Sequence, residues 1–350
     1  MREFGPPAGG PNSLTLLVPW HEAGQWALGH LPSDRFAAKV TSCAPDAGSR
    51  VERMPPYLRE WRALRERRPD WRECDVLLTW EMRAAFAARM LFRQAGRPKR
   101  WVALGPILKG PLRSPGGLAL ARRVLAGADR IACFTTAERD AYPRLLGLPP
   151  ERFAFLPSTW PAAPVSREDG GYILALGQSG RDYPTLLEAV RGTDLLVVLV
   201  AATPAALGGH PVPPNVTVRF RTDPTETDRL VRGATLHAVP LRGGDWSAGQ
   251  SVLLRAMACG KAVVVSDTAA VRDYVRPGET AVTMPPGDAG ALRAALRHLW
   301  EDASARQRIG ARAACAVREE FGHEAFAARL AALLGNLPPV PGGLPAPLPG

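Results

Sequence analysis

The stretch SAGQSVLLRAMACGKAVVVSD, residues 247–267, decides how this chain folds. Small residues open it, a helix-length segment follows, and the apolar run AVVV comes near its end. This order predicts a loop, an α-helix over 251–259 and a buried strand over 262–265. The helix would turn unpaired backbone N–H groups and the positive end of its dipole towards the loop. The junction therefore suits a phosphate or diphosphate, and capping of the helix by Ser247 or Ser251 is the alternative interpretation.

The same alternation of apolar runs and amphipathic segments continues along the whole chain. It predicts helices at 83–94, 137–146, 184–191, 251–259 and 323–334, and strands at 14–18, 76–80, 101–104, 130–134, 153–156, 172–176, 195–200, 216–220, 234–239, 262–265 and 281–284. These strands are too many for one sheet of this type. The segment 157–171, rich in Pro, Ser and Gly, is therefore the predicted linker between two doubly wound α/β domains. Ligands of such domains lie at the carboxyl ends of the strands.

Composition fits a globular protein, with 46% hydrophobic and 22% charged residues. No apolar run approaches the length of a membrane span, and the first residues lack the apolar region of a signal peptide, so we expect a cytoplasmic protein. The five cysteines have no metal-ligand or redox spacing and are expected to be free thiols. We expect no metal site.

The net charge of +11 is concentrated in the first half of the chain. Residues 1–150 hold 24 Lys and Arg against 14 Asp and Glu, whereas the remainder holds 20 against 19. One interpretation is a contact with an anionic membrane or acidic acceptor, which would place the protein peripherally at the inner face of the membrane. The other is arginine-rich coding with solvated helix faces, since 40 of the 44 basic residues are arginine. No motif indicates nucleic-acid binding.

A second chemistry-bearing stretch is YILALGQSGRDYPTLLEAV, residues 172–190. A strand ends at Leu176, a glycine turn follows, and Arg181 comes just before the next helix, which Asp182 is expected to cap. An arginine at that place can reach a diphosphate held by the helix near Ser251. Neither stretch is a Walker loop or a dinucleotide fingerprint.

These stretches carry a resemblance to a known family. Three segments resemble the donor domain of the retaining glycosyltransferases of family 4, which have the GT-B fold: ALGQSGRDYPTLLEA, AGQSVLLRAMACGKAVVVSDTAAVRDYVRPGETAVTMPPGDAGALRAALRHL and FGHEAFAARLAALL. ADRIACFTTAERDAYPRLLGLPPERFAFLPS is similar to the segment that closes the family's N-terminal domain. Residues 1–128 match only in layout.

The resemblance implies a GT-B architecture of two Rossmann-like domains facing a central cleft. It predicts an acceptor domain over 1–160 and a donor domain over 161–336, whose final helix crosses back towards the first domain. A disordered Pro/Gly tail is expected over 337–350. The implied reaction moves a sugar from a nucleoside diphosphate sugar to an acceptor, with retained anomeric configuration and without a metal or other cofactor. The donor-binding residues would be Gly177, Ser179, Gly180, Arg181, Ser247, Ala248, Gly249, Gln250, Ser251, Val252 and Arg255, and Arg181 would stabilise the leaving diphosphate.

The chain departs from the family at its paired glutamates, which map to Ser247 and Arg255. In the family the first contacts the transferred sugar and the second contacts the ribose hydroxyls. A guanidinium has five donors and no acceptor, so Arg255 cannot accept hydrogen bonds from a ribose diol. Three interpretations of Arg255 stay open. Its side chain could bind a phosphate, pair with an acidic neighbour in a purely structural role, or lie exposed at the surface. Lys261, just after the helix, is expected at the surface.

The first domain departs as well, because the family's histidine after a mid-domain strand is replaced by TWEM. Trp80 and Glu81 stand there, and Glu81 is the second predicted catalytic residue. It either binds an acceptor hydroxyl or only favours the start of a helix. His21, Glu22 and Gly24, in a loop after the first strand, are the other acceptor-binding candidates.

Loss of both glutamates leaves a second function class open. The chain could be a non-catalytic GT-B pseudoenzyme that binds a ligand or a catalytic partner, although Arg181 and the glycine-rich loop are kept. A sugar nucleotide epimerase of the same fold fits less well, since its carboxylates and histidine cannot be placed. The acceptor remains open among a lipid-linked glycan, an anionic glycan and a small natural product.

Overall fold

The computed structural model describes residues 11–18, 27–42, 44, 54, 58–67, 69–72, 74–220, 222–244 and 246–337. The chain divides into two compact units. Met1–Leu156 with Ala327–Gly350 forms the first, and Pro157–Phe326 forms the second. Within the described ranges, no helix combines the length and the apolar character needed to cross a bilayer.

The first unit is a parallel six-stranded sheet with helices against it. Its strands are β1 (Asn12–Val18), β2 (Phe36–Ser42), β3 (Val76–Trp80), β4 (Arg100–Leu104), β5 (Arg130–Cys133) and β6 (Phe153–Phe155), in the order β2-β1-β3-β4-β5-β6. Its helices are α1 (Leu58–Glu66), α2 (Glu81–Ala95), α3 (Pro115–Leu125) and α4 (Thr136–Leu146). The last helix of the chain, α10 (His323–Gly335), ends in this unit, where Asn336 O accepts a hydrogen bond from Arg130 Nη2 at 3.0 Å.

The connections of the first unit place α1 to α4 in one layer. From β2 to β6, each crossover to the next strand in sequence moves in the same direction along the sheet. Right-handed crossovers that move in one direction put their helices on one face. Adjacent contacts between α1 and α2, α2 and α3, and α3 and α4 agree with this. The core under the layer is apolar and includes Leu77, Trp101 and Tyr142.

The second unit is also a parallel six-stranded sheet. Its strands are β7 (Ile173–Leu176), β8 (Val197–Ala201), β9 (Val216–Phe220), β10 (Leu236–Val239), β11 (Val263–Ser266) and β12 (Val282–Met284), in the order β12-β11-β10-β7-β8-β9. The helices are α5 (Tyr183–Val190), α6 (Pro224–Gly233), α7 (Gln250–Ala258), α8 (Ala289–Glu301) and α9 (Ala303–Ala316), followed by a π-helical turn at Val317–Phe321. Every residue of β7, β10 and β11 is buried. This is the pattern expected for parallel strands that helices cover on both faces of the sheet.

Each sheet has one point at which the strand order reverses. In the second unit it lies between β7 and β10, because β8 and β9 extend to one side and β11 and β12 to the other. In the first unit it lies between β1 and β3. Crevices at such points, beyond the carboxyl ends of the strands, are where open α/β sheets bind ligands.

The structure corrects two sequence-based expectations. Strand β2 was not predicted, because only its first residue is buried and its sequence FAAKVTS has no apolar run. Lys261 is not a surface residue: it is 5% exposed, and its Nζ donates to the backbone oxygen of Glu168 at 2.5 Å. Helix α5 begins at Tyr183, one residue before the predicted start, and Asp182 caps it as expected by accepting from the Thr185 amide.

The cysteines in the described ranges are free thiols. Cys74, Cys133 and Cys259 are buried and Cys315 is exposed, whereas Cys43 lies outside those ranges. The described residues contain no cluster of three or more His, Cys, Asp or Glu side chains that could hold a metal ion.

Candidate functional site

Two loops meet at the reversal point of the second unit. One follows β7 and contains Gly180, and the other follows β10 and contains Ala248. A Cβ on Gly180 would lie 3.0 Å from the Ala248 Cβ, and the Arg242 amide donates to the Gly180 oxygen at 2.9 Å. Arg181 and Leu241 add a short antiparallel bridge between the same loops. The two glycine-containing stretches singled out in the sequence are therefore neighbours in space.

Arg181 is a buried cation at this junction. Its residue is 7% exposed, Nε donates to Leu176 O at 2.9 Å, and Nη1 donates to Ser179 O at 2.8 Å. Within the described ranges, which leave out Asp245, no carboxylate forms an ion pair with it. Burial lowers the pKa of this guanidinium below its ordinary value, and nearby Tyr183 opposes the shift. A buried charge without an acidic partner is unfavourable unless an anion joins it.

The turn around Arg181 depends on Gly177. That glycine has φ 119°, and a Cβ there would lie 2.3 Å from Arg181 Nη2. The Tyr183 hydroxyl donates to the Gly177 oxygen at 2.7 Å, and burial raises the pKa of Tyr183 to about 12, so the phenol stays neutral. The glycine thus lets the guanidinium lie flat against the end of β7.

The start of α7 is the second part of the site. Gly249, at φ 92°, holds the N-cap position of the helix and makes no side-chain cap hydrogen bond, so the cap position predicted for Ser247 or Ser251 is occupied by a glycine. A Cβ on Gly249 would lie 3.1 Å from Leu241, which explains the glycine. Ser247 and Ala248 are buried, whereas Ser251 in the first turn is exposed. The uncapped first-turn amides and the helix dipole favour an anion here.

The loop after β11 adds a residue at this end of the sheet that sequence reasoning missed. Gln250, predicted as a phosphate contact, uses its Nε2 to donate to Ala270 O at 2.6 Å, which ties α7 to the loop after β11. In that loop Thr268 is 4% exposed, and its hydroxyl has no hydrogen-bond partner among the described residues. Buried hydroxyls normally have a partner, so Thr268 is a further candidate contact. Only the adjacency of β10 and β11 in the sheet could have indicated it.

Arg255 lies more than one turn into α7 and faces α6. Its Nη2 is 3.2 Å from Asp228 Oδ1, and its guanidinium lies 5.7 Å from the centre of the Trp160 ring. The Arg255 side chain is 19% exposed. This arrangement corresponds to the interpretation in which Arg255 pairs with an acidic neighbour. Val252, one turn earlier, is partly buried and packs against two apolar clusters.

In the first unit, Glu81 stands at the end of β3, beside the reversal point. It has φ 62°, the one positive value among the described residues that are not glycine. Such backbone is strained for a residue with a side chain and is often found at functional sites. Glu81 Oε2 lies 3.4 Å from Arg83 Nη2, and Arg83 Nη1 lies 3.1 Å from the buried carboxylate of Glu60. Arg83 therefore joins Glu81 to α1.

The other acceptor candidates divide into two groups. Trp80 is 7% exposed, and its ring lies 5.2 Å from that of Phe134, so it is part of the packing at the end of β3. His21, Glu22 and Gly24 lie outside the described residues. The structure thus brings together the predicted residues of the β7 and β10 loops and places Arg255 on α7, facing α6. Of the predicted acceptor residues, Trp80 and Glu81 lie within the described ranges.

The fold and site define the class: two doubly wound α/β units with the GT-B fold. The structure is similar to that of sucrose-phosphate synthase from Thermosynechococcus elongatus, with a TM-score of 0.71 and 17% identity over 93% of this chain and 99% of that one. It is also similar to Anabaena HepE in complex with UDP-glucose, with a TM-score of 0.66 and 15% identity over 93% of this chain and all of the other. At these identities the likeness concerns the fold.

Sequence comparisons point to the donor half. Residues 184–302 match the family described as glycosyl transferases group 1. D-rhamnosyltransferase WbpZ of Pseudomonas aeruginosa is 32% identical over 146 residues, 39% of this chain and 37% of that protein. A phosphatidyl-myo-inositol mannosyltransferase of Mycobacterium leprae is 42% identical over 103 residues, 29% of this chain and 27% of the relative. The matches span about a third of the length of these curated relatives.

Proposed function

We propose that the chain is a glycosyltransferase that moves a sugar from a nucleoside diphosphate sugar to an acceptor, with retained configuration and without a metal. The diphosphate would bind between Arg181 and the first turn of α7. The single observation that carries the proposal is the buried Arg181 guanidinium, held by backbone carbonyls in a loop that packs against the loop leading into α7. Names of two sequence relatives, a rhamnosyltransferase and a mannosyltransferase, support the reaction class.

The chemistry needs positive charge where the leaving group forms. As the bond from the sugar to the diphosphate breaks, negative charge grows on the phosphate oxygens. Fixed donors aimed at such charge are among the largest contributions to catalysis. Arg181 supplies a cation that is already oriented, and the α7 amides supply neutral donors at the dipole's positive end. These groups would neutralise the leaving diphosphate without a divalent ion, and the retained configuration follows from the resemblance to family 4.

The acceptor would bind in the first unit at the end of β3. Glu81 is the proposed contact for an acceptor hydroxyl, with Arg83 holding its carboxylate. An ionised carboxylate only accepts hydrogen bonds, which suits a sugar hydroxyl that donates one. His21, Glu22 and Gly24 remain proposed partners in the same site, and the acceptor class remains open among lipid-linked, anionic and small-molecule sugars.

Titration calorimetry tests the donor site. UDP is the first ligand to try, because HepE was solved with UDP-glucose, followed by GDP, ADP and dTDP. We expect Arg181→Gln to weaken the binding of the preferred nucleoside diphosphate at least about tenfold, in line with a charge-assisted contact. Arg181→Lys should restore part of the affinity. Arg272→Gln is the control, since Arg272 is exposed and pairs with Asp267.

Thermal unfolding of each variant separates lost binding from lost folding, because the Arg181 side chain also holds two backbone carbonyls. Equal affinity in a folded Arg181→Gln protein would contradict the proposal. Turnover is then measured as release of nucleoside diphosphate from the donor, with and without a chelator. Binding without release in the presence of acceptor mixtures would favour the pseudoenzyme, and loss of release with chelator would exclude a metal-independent reaction.

A further inference from the structure

One part of the first unit carries basic residues and no acidic ones. Residues 82–128 contain ten Lys and Arg and no Asp or Glu across 47 positions. They form α2, β4 and α3 with their connections. Residues 1–150 carry ten more basic than acidic residues, and the segment 82–128 alone has the same excess.

The arginines of this segment lie on the outside of the helical layer. Arg89 and Arg93 are exposed on α2, and Arg122 and Arg123 are exposed on α3. The two helices are adjacent, since Arg97 Nη2 donates to the oxygen of Gly127, just after α3, at 3.4 Å. We call this surface, formed by the exposed residues of α2 and α3, the α2–α3 face.

Arginine-rich coding alone does not explain the α2–α3 face. Residues 151–350 are also rich in arginine, but they hold 19 acidic residues against 20 basic ones. Several of their arginines form ion pairs, for example Arg191 with Glu188, Arg272 with Asp267, and Arg297 with Asp194 and Glu301, whereas others such as Arg229 and Arg308 form none with a described residue. Among the described residues, none of the four exposed arginines of the α2–α3 face has such a pair. The helix dipole explains basic residues in the last turns of α2 and α3, but it equally favours acidic residues in first turns, and α3 has none.

Large apolar side chains lie among these cations. In the described part of the first unit, the exposed large hydrophobic residues are Leu58, Met90, Leu120 and Leu145, one on each helix of the layer. Met90 is the most exposed of them, at 53%, and lies between Arg89 and Arg93 on the outer side of α2. Single exposed hydrophobic residues are ordinary on a protein surface. Here all four lie on the helical layer that includes the α2–α3 face, and Met90 and Leu120 lie on that face itself.

We propose that the α2–α3 face docks on an anionic lipid bilayer. Arginines would contact lipid phosphates while Met90 and Leu120 enter the boundary between headgroups and acyl chains. The apolar side chains favour a bilayer over a nucleic acid, which would need the cations alone. This inference is independent of the donor site, whose residues lie in the other unit.

Vesicle sedimentation with the full chain tests the proposal. We expect binding to phosphatidylcholine vesicles that contain phosphatidylglycerol, little binding to pure phosphatidylcholine, and weaker binding at high salt. The triple variant Arg89→Gln, Arg93→Gln and Arg123→Gln should reduce partitioning more than tenfold, since each basic residue contributes about a fivefold factor at an anionic surface. The matched control replaces three exposed arginines of the second unit by glutamine, Arg191, Arg272 and Arg308, with the same change in net charge.

A second pair of variants tests insertion of the apolar side chains. Met90→Ser should weaken vesicle binding severalfold, whereas Leu196→Ser, at a position in the second unit with 54% exposure, should not. Nucleoside diphosphate affinity serves as the check on folding and should be unchanged in all variants. Equal losses in the two triple variants, equal binding to neutral vesicles, or binding to DNA but to no vesicle would each overturn the proposal.

Discussion

A single buried side chain, Arg181, connects the local sequence to the proposed chemistry. The pattern of strand, glycine turn and arginine predicted its place before α5, and the structure adds that the guanidinium is almost fully buried against two backbone oxygens. Sequence could not show this burial, because it results from the meeting of two loops that are about 70 positions apart. A flexible surface arginine would lose more conformational entropy on gripping a diphosphate than this constrained one does.

Arg255 forms an ion pair with Asp228, and this pair leads to a prediction. Arg255→Gln should lower the free energy of unfolding by about 1 kcal/mol, because it removes a half-exposed ion pair and a stacking contact with Trp160. Nucleoside diphosphate affinity should change less than about threefold. Chemical denaturation and calorimetry measure the two effects.

Asp228→Asn and the double variant complete a thermodynamic cycle for this pair. A coupling of about 0.5 to 1 kcal/mol in stability is expected if the side chains interact as described. The opposite pattern, with unchanged stability and affinity reduced at least about tenfold, would mean that Arg255 grips the phosphate.

At the scale of elements, the start of α7 gives a prediction in which stability and binding change in opposite directions. Ser251 is exposed in the first turn of a helix that no side chain caps. Ser251→Glu should leave the free energy of unfolding unchanged or raise it by about 0.3 to 1 kcal/mol, because a carboxylate there interacts well with the dipole. The same carboxylate should weaken nucleoside diphosphate binding by about tenfold, or 1.4 kcal/mol, by repulsion and competition for the amides.

Ser251→Gln is the neutral control and should bind the nucleotide almost as the native protein does. Calorimetry and denaturation of the three proteins suffice for the test. If Ser251→Glu binds as tightly as Ser251→Gln, the anion does not sit at this helix start.

The elements that were predictable from sequence are the buried ones. Strands β3 and β9 have the predicted bounds, and β7, β10 and β11 differ only at their ends, since apolar runs mark them clearly. Strand β2 has one buried residue in seven and gave no such signal. The left-handed backbone of Glu81 and the position of Thr268 likewise depend on tertiary packing and could not be read from local sequence.

At the scale of the whole molecule, two sheets with separate reversal points explain why the chemistry-bearing residues fall into two groups. Each unit buries its own apolar core. The second presents candidate residues at the carboxyl ends of the neighbouring strands β7 and β10, and the first presents Glu81 at the end of β3. Alternating strands and helices predicted the α/β class. The assignment of the chain's end to the first unit depends instead on contacts between residues far apart in sequence, such as Arg130 with Asn336.

The central claim is that a nucleoside diphosphate binds the second unit between the β7 loop and the start of α7. Hydrogen–deuterium exchange of the intact chain, with and without the preferred nucleoside diphosphate, tests it most directly, because amides that bind phosphate exchange more slowly. We predict added protection in peptides that cover residues 177–182 and 247–253, with smaller changes elsewhere. Protection confined to other segments, or no protection under conditions where calorimetry shows binding, would contradict the claim.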